Sequence, residues 1–165
     1  MRLRPYISDT DFNFIRKWDT DERTHALWCA GRLPFPVTRE SMDLLISDHA
    51  VKYGDTPFTA TEDDDTPVGF FCIATDVQTN TSMLRFVIVD SSLRGRGYGR
   101  EMLSLAVKYA FDIVKADTVQ LNVFTSNEAA KKCYLSVGFT ERSTTPDAFT
   151  YKNESWGRCN MIITR

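Results

Sequence analysis

A turn rich in glycine and arginine follows an apolar run in the middle of the chain. The run at residues 86–89 ends at Asp90, and the turn then contains Arg94, Gly95, Arg96, Gly97, Tyr98, Gly99 and Arg100. Glycine adopts backbone angles closed to other residues, so several N–H groups can point at one phosphate. Arginine adds forked donors of fixed positive charge. The turn therefore predicts an anion site that suits a phosphorylated ligand.

The spacing of the glycines separates three kinds of phosphate-binding loop. A P-loop needs Gly-Lys followed by Ser or Thr, and no such pair follows these glycines. The dinucleotide fingerprint Gly-x-Gly-x-x-Gly also fails, because Arg100 or Met102 stands where the third glycine is required. The spacing that remains is Arg94-x-x-Gly97-x-Gly99.

Two segments resemble the GNAT N-acetyltransferase superfamily. The first is Arg94-x-x-Gly97-x-Gly99, which is similar to the superfamily's loop of Gln or Arg, two residues, Gly, one residue, and Gly or Ala. The second follows the pattern Asn-x-x-Ala-x-x-x-Tyr-x-x-x-Gly-Phe and consists of Asn127, Ala130, Tyr134, Gly138 and Phe139. The close likeness covers residues 83–139, and Leu3-Arg4-Pro5 resembles the opening strand of many members.

The resemblance implies an α/β fold with a mixed, largely antiparallel sheet, a central splayed strand pair and helices on both faces. It also implies acetyl-CoA as the cosubstrate and no metal. In the superfamily the strands that match residues 86–89 and 119–124 separate, and the pantetheine arm binds the backbone groups left unpaired between them. The backbone of Val87, Ile88 and Val89 is therefore expected to contact pantetheine and to polarise the thioester carbonyl.

The resemblance assigns further contacts residue by residue. The pyrophosphate is expected at the N-terminus of the next helix, on Arg94, Gly95, Arg96, Gly97, Tyr98 and Gly99. A side chain added at Gly97 or Gly99 is expected to obstruct it. Asn127 is expected to contact the cosubstrate, with a purely structural place in the first helical turn as the alternative. Tyr134 is expected to protonate the leaving thiolate, with core packing as the alternative.

The strand before the phosphate loop carries no acidic residue at the position where members with a carboxylate base often have one. Met83 occupies that position, and Arg85 follows two residues later. An α-amine is partly neutral at pH 7 whereas a lysine amine is almost wholly protonated. The absence of a carboxylate on this strand therefore favours one of two alternatives. Either the acceptor is a weakly basic amine such as an α-amine, or a base from another part of the chain acts through water. Glu22, His25 and Glu62 are the candidates for that base.

These motifs predict an N-acetyltransferase that moves the acetyl group directly to a primary amine in a ternary complex, without an acyl-enzyme. The amine is a small molecule or a protein N-terminus. The Arg-Pro opening and the helical region up to His49 resemble the branch that acetylates ribosomal-protein N-termini. Polyamines and aminoglycosides are the alternative acceptors. The alternative is a non-catalytic acetyl-CoA sensor, which the absent base favours and Tyr134 disfavours.

Length and composition argue against a multidomain, nucleic-acid-binding, membrane or metal-binding protein. The 165 residues, 42% of them hydrophobic, predict one domain over residues 1–165. A formal net charge of −2 argues against nucleic-acid binding. The chain has no apolar run of about 18 residues and no signal-peptide start, so a cytoplasmic protein without a membrane partner is expected. Its cysteines and histidines are scattered, which argues against a metal site; homodimer formation is left open.

Hydrophobic periodicity predicts the elements that position these residues. Strands are expected at residues 1–6, 58–61, 68–76, 82–90, 119–124, 139–142 and 158–164. Helices are expected at residues 9–19, 39–49 and 99–114, with loop or broken helix between the first two. A Thr125-x-x-Glu128 capping box is expected to begin a last helix that ends at Gly138.

Overall fold

The computed structural model describes residues 1–165 and contains one seven-stranded sheet and five α-helices. The strands are β1 Arg2–Pro5, β2 Thr56–Thr61, β3 Pro67–Asp76, β4 Thr81–Val89, β5 Thr118–Phe124, β6 Thr140–Tyr151 and β7 Glu154–Thr164. The helices are α1 Ser8–Trp18, α2 Glu22–Cys29, α3 Arg39–Tyr53, α4 Tyr98–Lys108 and α5 Glu128–Val137. A π-helical segment, Tyr109–Val114, continues α4 and completes the helix expected at residues 99–114.

The sheet has the strand order β1-β2-β3-β4-β5-β7-β6. Every neighbouring pair is antiparallel except β4 and β5, which run parallel at the centre. The chain reaches β5 from β4 through the glycine-rich turn and α4. Two parallel neighbouring strands need such a crossover connection, which usually contains a helix. The predicted mixed, largely antiparallel sheet is confirmed.

Helices cover both faces of the sheet because successive side chains of each strand point to opposite faces. On β3, Phe71 and Ile73 pack with Met102 and Leu103 of α4, together with Tyr134 of α5. The alternate residues of β3 pack on the other face against α1 and α3, in a cluster that includes Phe70, Cys72, Phe12, Ile15 and Met42. The two clusters fix the sheet between two helical layers.

Strand β4 contains a bulge in the half that leads to the phosphate loop. Phe70 of β3 pairs with Ile88 and Cys72 pairs with Arg85, so Phe86 and Val87 together face a single residue of β3. Phe86 has a φ of 53°, which is unusual for a bulky residue. The bulge adds one residue to β4, so the alternation of its side chains between the two faces of the sheet shifts by one residue after the bulge.

One expectation about helices was wrong and another was incomplete. Residues 22–29 form α2, whose N-terminal N–H groups donate to the side chain of Asp21, within the stretch expected as loop or broken helix. The capping box at Thr125 does not form. Asn127 caps α5 instead, because its side chain accepts a hydrogen bond from the N–H of Ala130 at 3.2 Å.

The last two strands are longer than predicted. Polar residues after position 142 read as a connection, but β6 continues to Tyr151 and β7 begins at Glu154, which leaves a tight turn between them. Most of β6 is exposed to solvent, so its sequence lacks the apolar alternation of a strand with one buried face. The hairpin brings Phe149 against Trp156, with ring centroids 5.7 Å apart.

Candidate active site

The central parallel strands diverge on their way to the phosphate loop. Pairing between β4 and β5 is confined to the register from Thr81–Thr118 to Leu84–Leu121, although β4 continues to Val89. A cavity of about 560 Å³ occupies the gap. Backbone groups in this half of β4 face the cavity instead of β5, so they are free to bind an extended ligand.

Most of the residues predicted for the site line this one cavity. They are Val87, Ile88, Val89, Arg94, Gly95, Gly97, Gly99, Asn127 and Tyr134, and Arg100 lies with them. Arg96 and Tyr98 do not line it. The hydroxyl of Tyr98 instead donates a hydrogen bond to Glu62 at 2.5 Å, which directs that side chain away from the cavity.

The glycine-rich turn has the backbone geometry of an anion-binding loop. Gly95 and Gly97 have φ values of 77° and 91°, in the region that favours glycine. Helix α4 begins directly after Gly97, so its unpaired N–H groups and the positive end of its dipole point toward the cavity. A Cβ at Gly97 would meet nothing within 4 Å, so the loop leaves open space there for a ligand.

Gly99 lines the cavity, as predicted from the sequence, and it also serves packing. A Cβ at this position would lie 3.3 Å from Sγ of Cys133 and 3.7 Å from Val89. The missing side chain therefore lets α4 approach α5 and β4 closely. The thiol of Cys133 fills the space, and burial raises its pKa, which favours the protonated thiol at neutral pH.

Tyr134 lies in the cavity wall on α5, almost completely buried. Its ring packs edge-on against Phe139, with centroids 6.2 Å apart. Its hydroxyl has no hydrogen-bond partner within the protein. Burial raises the pKa of the phenol well above its ordinary value of 10, so the group stays protonated at neutral pH. A protonated, unpartnered hydroxyl in the cavity can donate to a ligand.

Comparison with known proteins agrees with this geometry. Residues 12–139 match the family described as "Acetyltransferase (GNAT) family", which is most of the chain. This chain belongs to the GNAT acetyltransferase family. The predicted superfamily and enzyme class are thereby confirmed, since the matched region contains the phosphate loop, the diverging strands and Tyr134.

Solved structures share the fold of this acetyltransferase. The spermidine N-acetyltransferase of Vibrio cholerae in complex with CoA and spermine superposes with a TM-score of 0.82 at 18% identity, covering 99% of this chain and 94% of that chain. A chimera of Vibrio cholerae SpeG and hSSAT has a TM-score of 0.80, also at 18% identity and with the same coverage of 99% and 94%.

The acetyltransferase holds its β4 bulge with a residue that the sequence did not single out. The indole N–H of Trp28, on α2, donates to the carbonyl of Phe86 at 2.9 Å. This bond satisfies the carbonyl of a residue with positive φ and fixes the point where β4 turns away from β5. The missed signal was the helical character of residues 22–29, without which Trp28 could not be placed.

A second cavity, of about 530 Å³, adjoins the first. Its walls come from the ends of α2 and α3, from β6 and from β7. Both cavities are bounded by Trp28, Leu84, Arg85, Phe86, Asn122 and Val123, so they meet where β4 and β5 diverge. The acetyltransferase thus has one chamber that includes the phosphate loop and a second chamber that does not, and the two meet at the strand gap.

A histidine that the sequence did not single out as a base lines the second cavity of the acetyltransferase. Nδ1 of His49 lies 2.9 Å from the buried carboxylate of Asp55, and Arg85 binds the other oxygen of that carboxylate. Nε2 of His49 has no hydrogen-bond partner within the protein. The ring of His49 lies 5.0 Å from that of Phe86, which bounds both cavities. No motif connects these residues in sequence, because α3 and β4 meet only in the fold.

The three bases suggested by the sequence lie outside both cavities. Glu22 is exposed and forms an ion pair with Lys152 at 3.0 Å. Both ring nitrogens of His25 are occupied, by Asp19 at 2.6 Å and the carbonyl of Leu33 at 2.9 Å. Glu62 accepts the Tyr98 hydrogen bond described above. No Asp or Glu lines either cavity.

Two further findings concern metal ions and membranes. No group of three or more His, Cys, Asp or Glu side chains is arranged to hold a metal ion. None of the helices of the acetyltransferase combines the length and apolar character needed to cross a membrane.

Proposed function

We propose that this protein transfers the acetyl group of acetyl-CoA directly to the primary amine of a small molecule in a ternary complex. One observation carries the proposal: a single cavity joins the anion-binding loop to the free hydroxyl of Tyr134 through the gap between β4 and β5. Such a cavity suits a long ligand with a phosphorylated end and a reactive end.

The residues of the first cavity fit acetyl-CoA. The backbone of Gly95, Gly97 and Gly99 supplies N–H donors for the pyrophosphate, and Arg94 and Arg100 supply positive charge. The exposed backbone of residues 87–89 suits the amides of pantetheine. The free amide nitrogen of Asn127 adds a donor, because its oxygen already caps α5. The bound cosubstrate supplies an activated acetyl group as a thioester.

Two side chains are placed to move protons. The amine nitrogen forms a bond to the acetyl carbon and loses a proton, which we assign to Nε2 of His49. Asp55 holds Nδ1 of that ring and so leaves Nε2 as the acceptor. The C–S bond then breaks, and the thiolate takes a proton from the Tyr134 hydroxyl. Solvent restores the two side chains to their starting states.

A small-molecule acceptor is supported by the second cavity and by the neighbouring structure. The second cavity reaches the strand gap from the side away from the phosphate loop, so an amine can enter while the first cavity is occupied. The Vibrio cholerae enzyme of the same fold contains CoA and spermine, which is a small amine. An acceptor on a protein N-terminus stays a prediction from the sequence alone.

Replacing Gly97 by alanine tests the phosphate loop. We expect weaker acetyl-CoA binding in calorimetry, because the added Cβ enters the space left for the ligand. The positive φ of 91° should cost about 1–2 kcal/mol of stability. The steric conflict with the ligand should lower the affinity by about tenfold.

Gly54→Ala is the matched control for this variant. Gly54 has a φ of 72° and open space around it, but it ends α3 far from the loop. Both variants should lose stability, and only Gly97→Ala should lose acetyl-CoA affinity. Equal affinity in the two variants would remove the phosphate loop from the proposal. Binding without thiol release for any amine would favour the sensor alternative.

A further inference from the structure

The second cavity is rich in arginine and lacks acidic residues. Arg32, Arg85 and Arg158 line it, together with His49, and no Asp or Glu does. They come from three separate parts of the chain: the turn after α2, β4 and β7. The sequence itself has slightly more acidic than basic residues, with a net charge of −2. The arginines are therefore a local concentration of positive charge against the trend of the molecule.

Only one of these arginines is neutralised within the protein. Arg85 binds the buried carboxylate of Asp55, and its guanidinium carbon lies 4.8 Å from the centre of the Tyr53 ring. Arg32 and Arg158 are exposed and form no ion pair and no side-chain hydrogen bond. The cavity consequently presents two unpaired guanidinium groups, whose forked donors match a carboxylate.

The rest of the cavity wall is mostly apolar. Eleven of its 16 lining residues are hydrophobic, and the largest of them include Trp28, Tyr53, Phe86, Phe124 and Phe149. Such a surface stabilises an apolar group by removing it from water. A polyamine has positive charge along its whole length and would meet the arginines without any carboxylate to offset them, so this cavity opposes a polyamine.

We propose that the acceptor is an α-amino acid with an aromatic or other apolar side chain, whose carboxylate binds Arg32 and Arg158. The inference rests on the proposed function, because it takes the second cavity as the acceptor site. The apolar wall binds the side chain, and the amine lies toward His49 and the strand gap. The arginines also favour the neutral, reactive form of the amine, since nearby positive charge disfavours ammonium.

The test compares three amines in a thiol-release assay: phenylalanine, phenylalaninamide and spermidine. Phenylalaninamide has the same side chain but an uncharged amide in place of the carboxylate. We expect phenylalanine to have the highest kcat/KM. Arg32→Gln and Arg158→Gln should each lower it about tenfold for phenylalanine, as for the loss of one charged hydrogen bond, and leave it nearly unchanged for phenylalaninamide. Dividing the kcat/KM of each variant by that of the parent enzyme for the same amine removes the intrinsic reactivity of that amine from the comparison.

Arg16→Gln is the matched control, because Arg16 is an exposed arginine of α1 that lines neither cavity. It should leave all three rates unchanged, and all variants should bind acetyl-CoA as the parent does. A preference for spermidine, or equal losses for phenylalanine and phenylalaninamide, would overturn the acceptor assignment alone. Faster acetylation of an N-terminal peptide than of free phenylalanine would do the same. Acetyl-CoA binding without thiol from any amine would overturn the proposed function as well.

Discussion

The side chain of Tyr134 is nearly buried, but its hydroxyl forms no hydrogen bond within the protein. The hydroxyl is not fully buried, because Tyr134 lines the first cavity. A hydroxyl that only filled the core would normally bond to a neighbouring polar group. The position of Tyr134 in the cavity wall therefore leaves its hydroxyl available to a ligand.

Tyr134→Phe should lower kcat by about tenfold to a hundredfold with a good amine acceptor. A thiolate is a tolerable leaving group, so the loss falls at the lower end of general-acid effects. Because the hydroxyl has no protein partner, acetyl-CoA affinity and thermal stability should stay nearly unchanged. Steady-state kinetics and calorimetry measure these quantities.

Tyr109→Phe is the control for this variant, since it makes the same chemical change on the same face of the sheet outside both cavities. It should leave kcat unchanged. An unchanged kcat in Tyr134→Phe would show that Tyr134 only packs against the core.

His49→Gln should lower kcat by about a hundredfold with a good amine acceptor, because the variant lacks the proton acceptor that we assign to Nε2. Glutamine can retain a hydrogen bond to Asp55, so the fold should persist. Acetyl-CoA affinity should stay unchanged, since His49 does not line the first cavity. An unchanged kcat in steady-state kinetics would contradict the role of His49.

The sequence could predict the cavity residues that local spacing connects, and it could not predict those that only the fold brings to the cavities. Arg94, Gly97 and Tyr134 belong to motifs whose spacing a turn or a helix face fixes. Trp28 and His49 lie far from these motifs in sequence and reach the strand gap only because α2 and α3 cover that side of the sheet. A single tryptophan or histidine on a helix carries no signal of such a contact.

A buried carboxylate joins three elements at the edge of the molecule. Asp11 of α1 accepts two hydrogen bonds from Arg4 of β1, at 2.7 and 2.9 Å, and one from the hydroxyl of Thr59 in β2 at 2.8 Å. It also accepts from the N–H of Ile7 at 2.9 Å. Burial alone would raise the pKa of Asp11, but these donors outweigh burial and lower it.

Asp11→Asn should reduce the free energy of unfolding at pH 7 by about 3 kcal/mol, because it removes the buried charge partner of Arg4 and leaves Arg4 only the exposed Asp65. The pKa of Asp11 is lower in the folded protein than in the unfolded chain. Its contribution to the free energy of unfolding is therefore present above its unfolded pKa and is lost as the pH falls through its folded pKa. The difference in the free energy of unfolding between parent and variant should narrow below about pH 4, which urea unfolding at pH 7 and pH 3 measures.

Asp9→Asn provides a matched comparison on the same helix. Asp9 is exposed and pairs with the exposed Arg39 at 2.8 Å, so its loss should change stability by less than about 1 kcal/mol. Equal effects of the two substitutions would show that the buried network contributes no more than a surface ion pair.

The elements that the sequence misassigned are those whose stability comes from tertiary contacts. Helix α2 has one strong local signal, the Asp21 cap, but its apolar residues are recognisable as a face only once Trp28 and Cys29 are seen against the sheet. The exposed strand β6 depends on hydrogen bonds to β7 and has no buried face to create a pattern. By contrast, β3 and α4 were predictable because each buries a strongly patterned apolar surface.

At the scale of the whole molecule, charge is distributed unevenly. The surface carries an acidic excess, whereas arginines line both cavities and carboxylates line neither. An acidic exterior with cationic chambers attracts anions only at defined openings, since charges in a cleft focus the field there. The net charge read from the sequence therefore describes the surface and conceals the opposite character of the two cavities.

The meeting of the two cavities at the strand gap also affects how a reaction cycle ends. The first chamber lies beside α4, α5 and part of α2, and the second lies beside α2, α3 and the β6–β7 hairpin. In the proposed reaction the spent coenzyme would leave through the first chamber and the acetylated product through the second, so the release of one does not require the release of the other. Only the acetyl group would cross the strand gap, where the residues common to both chambers lie.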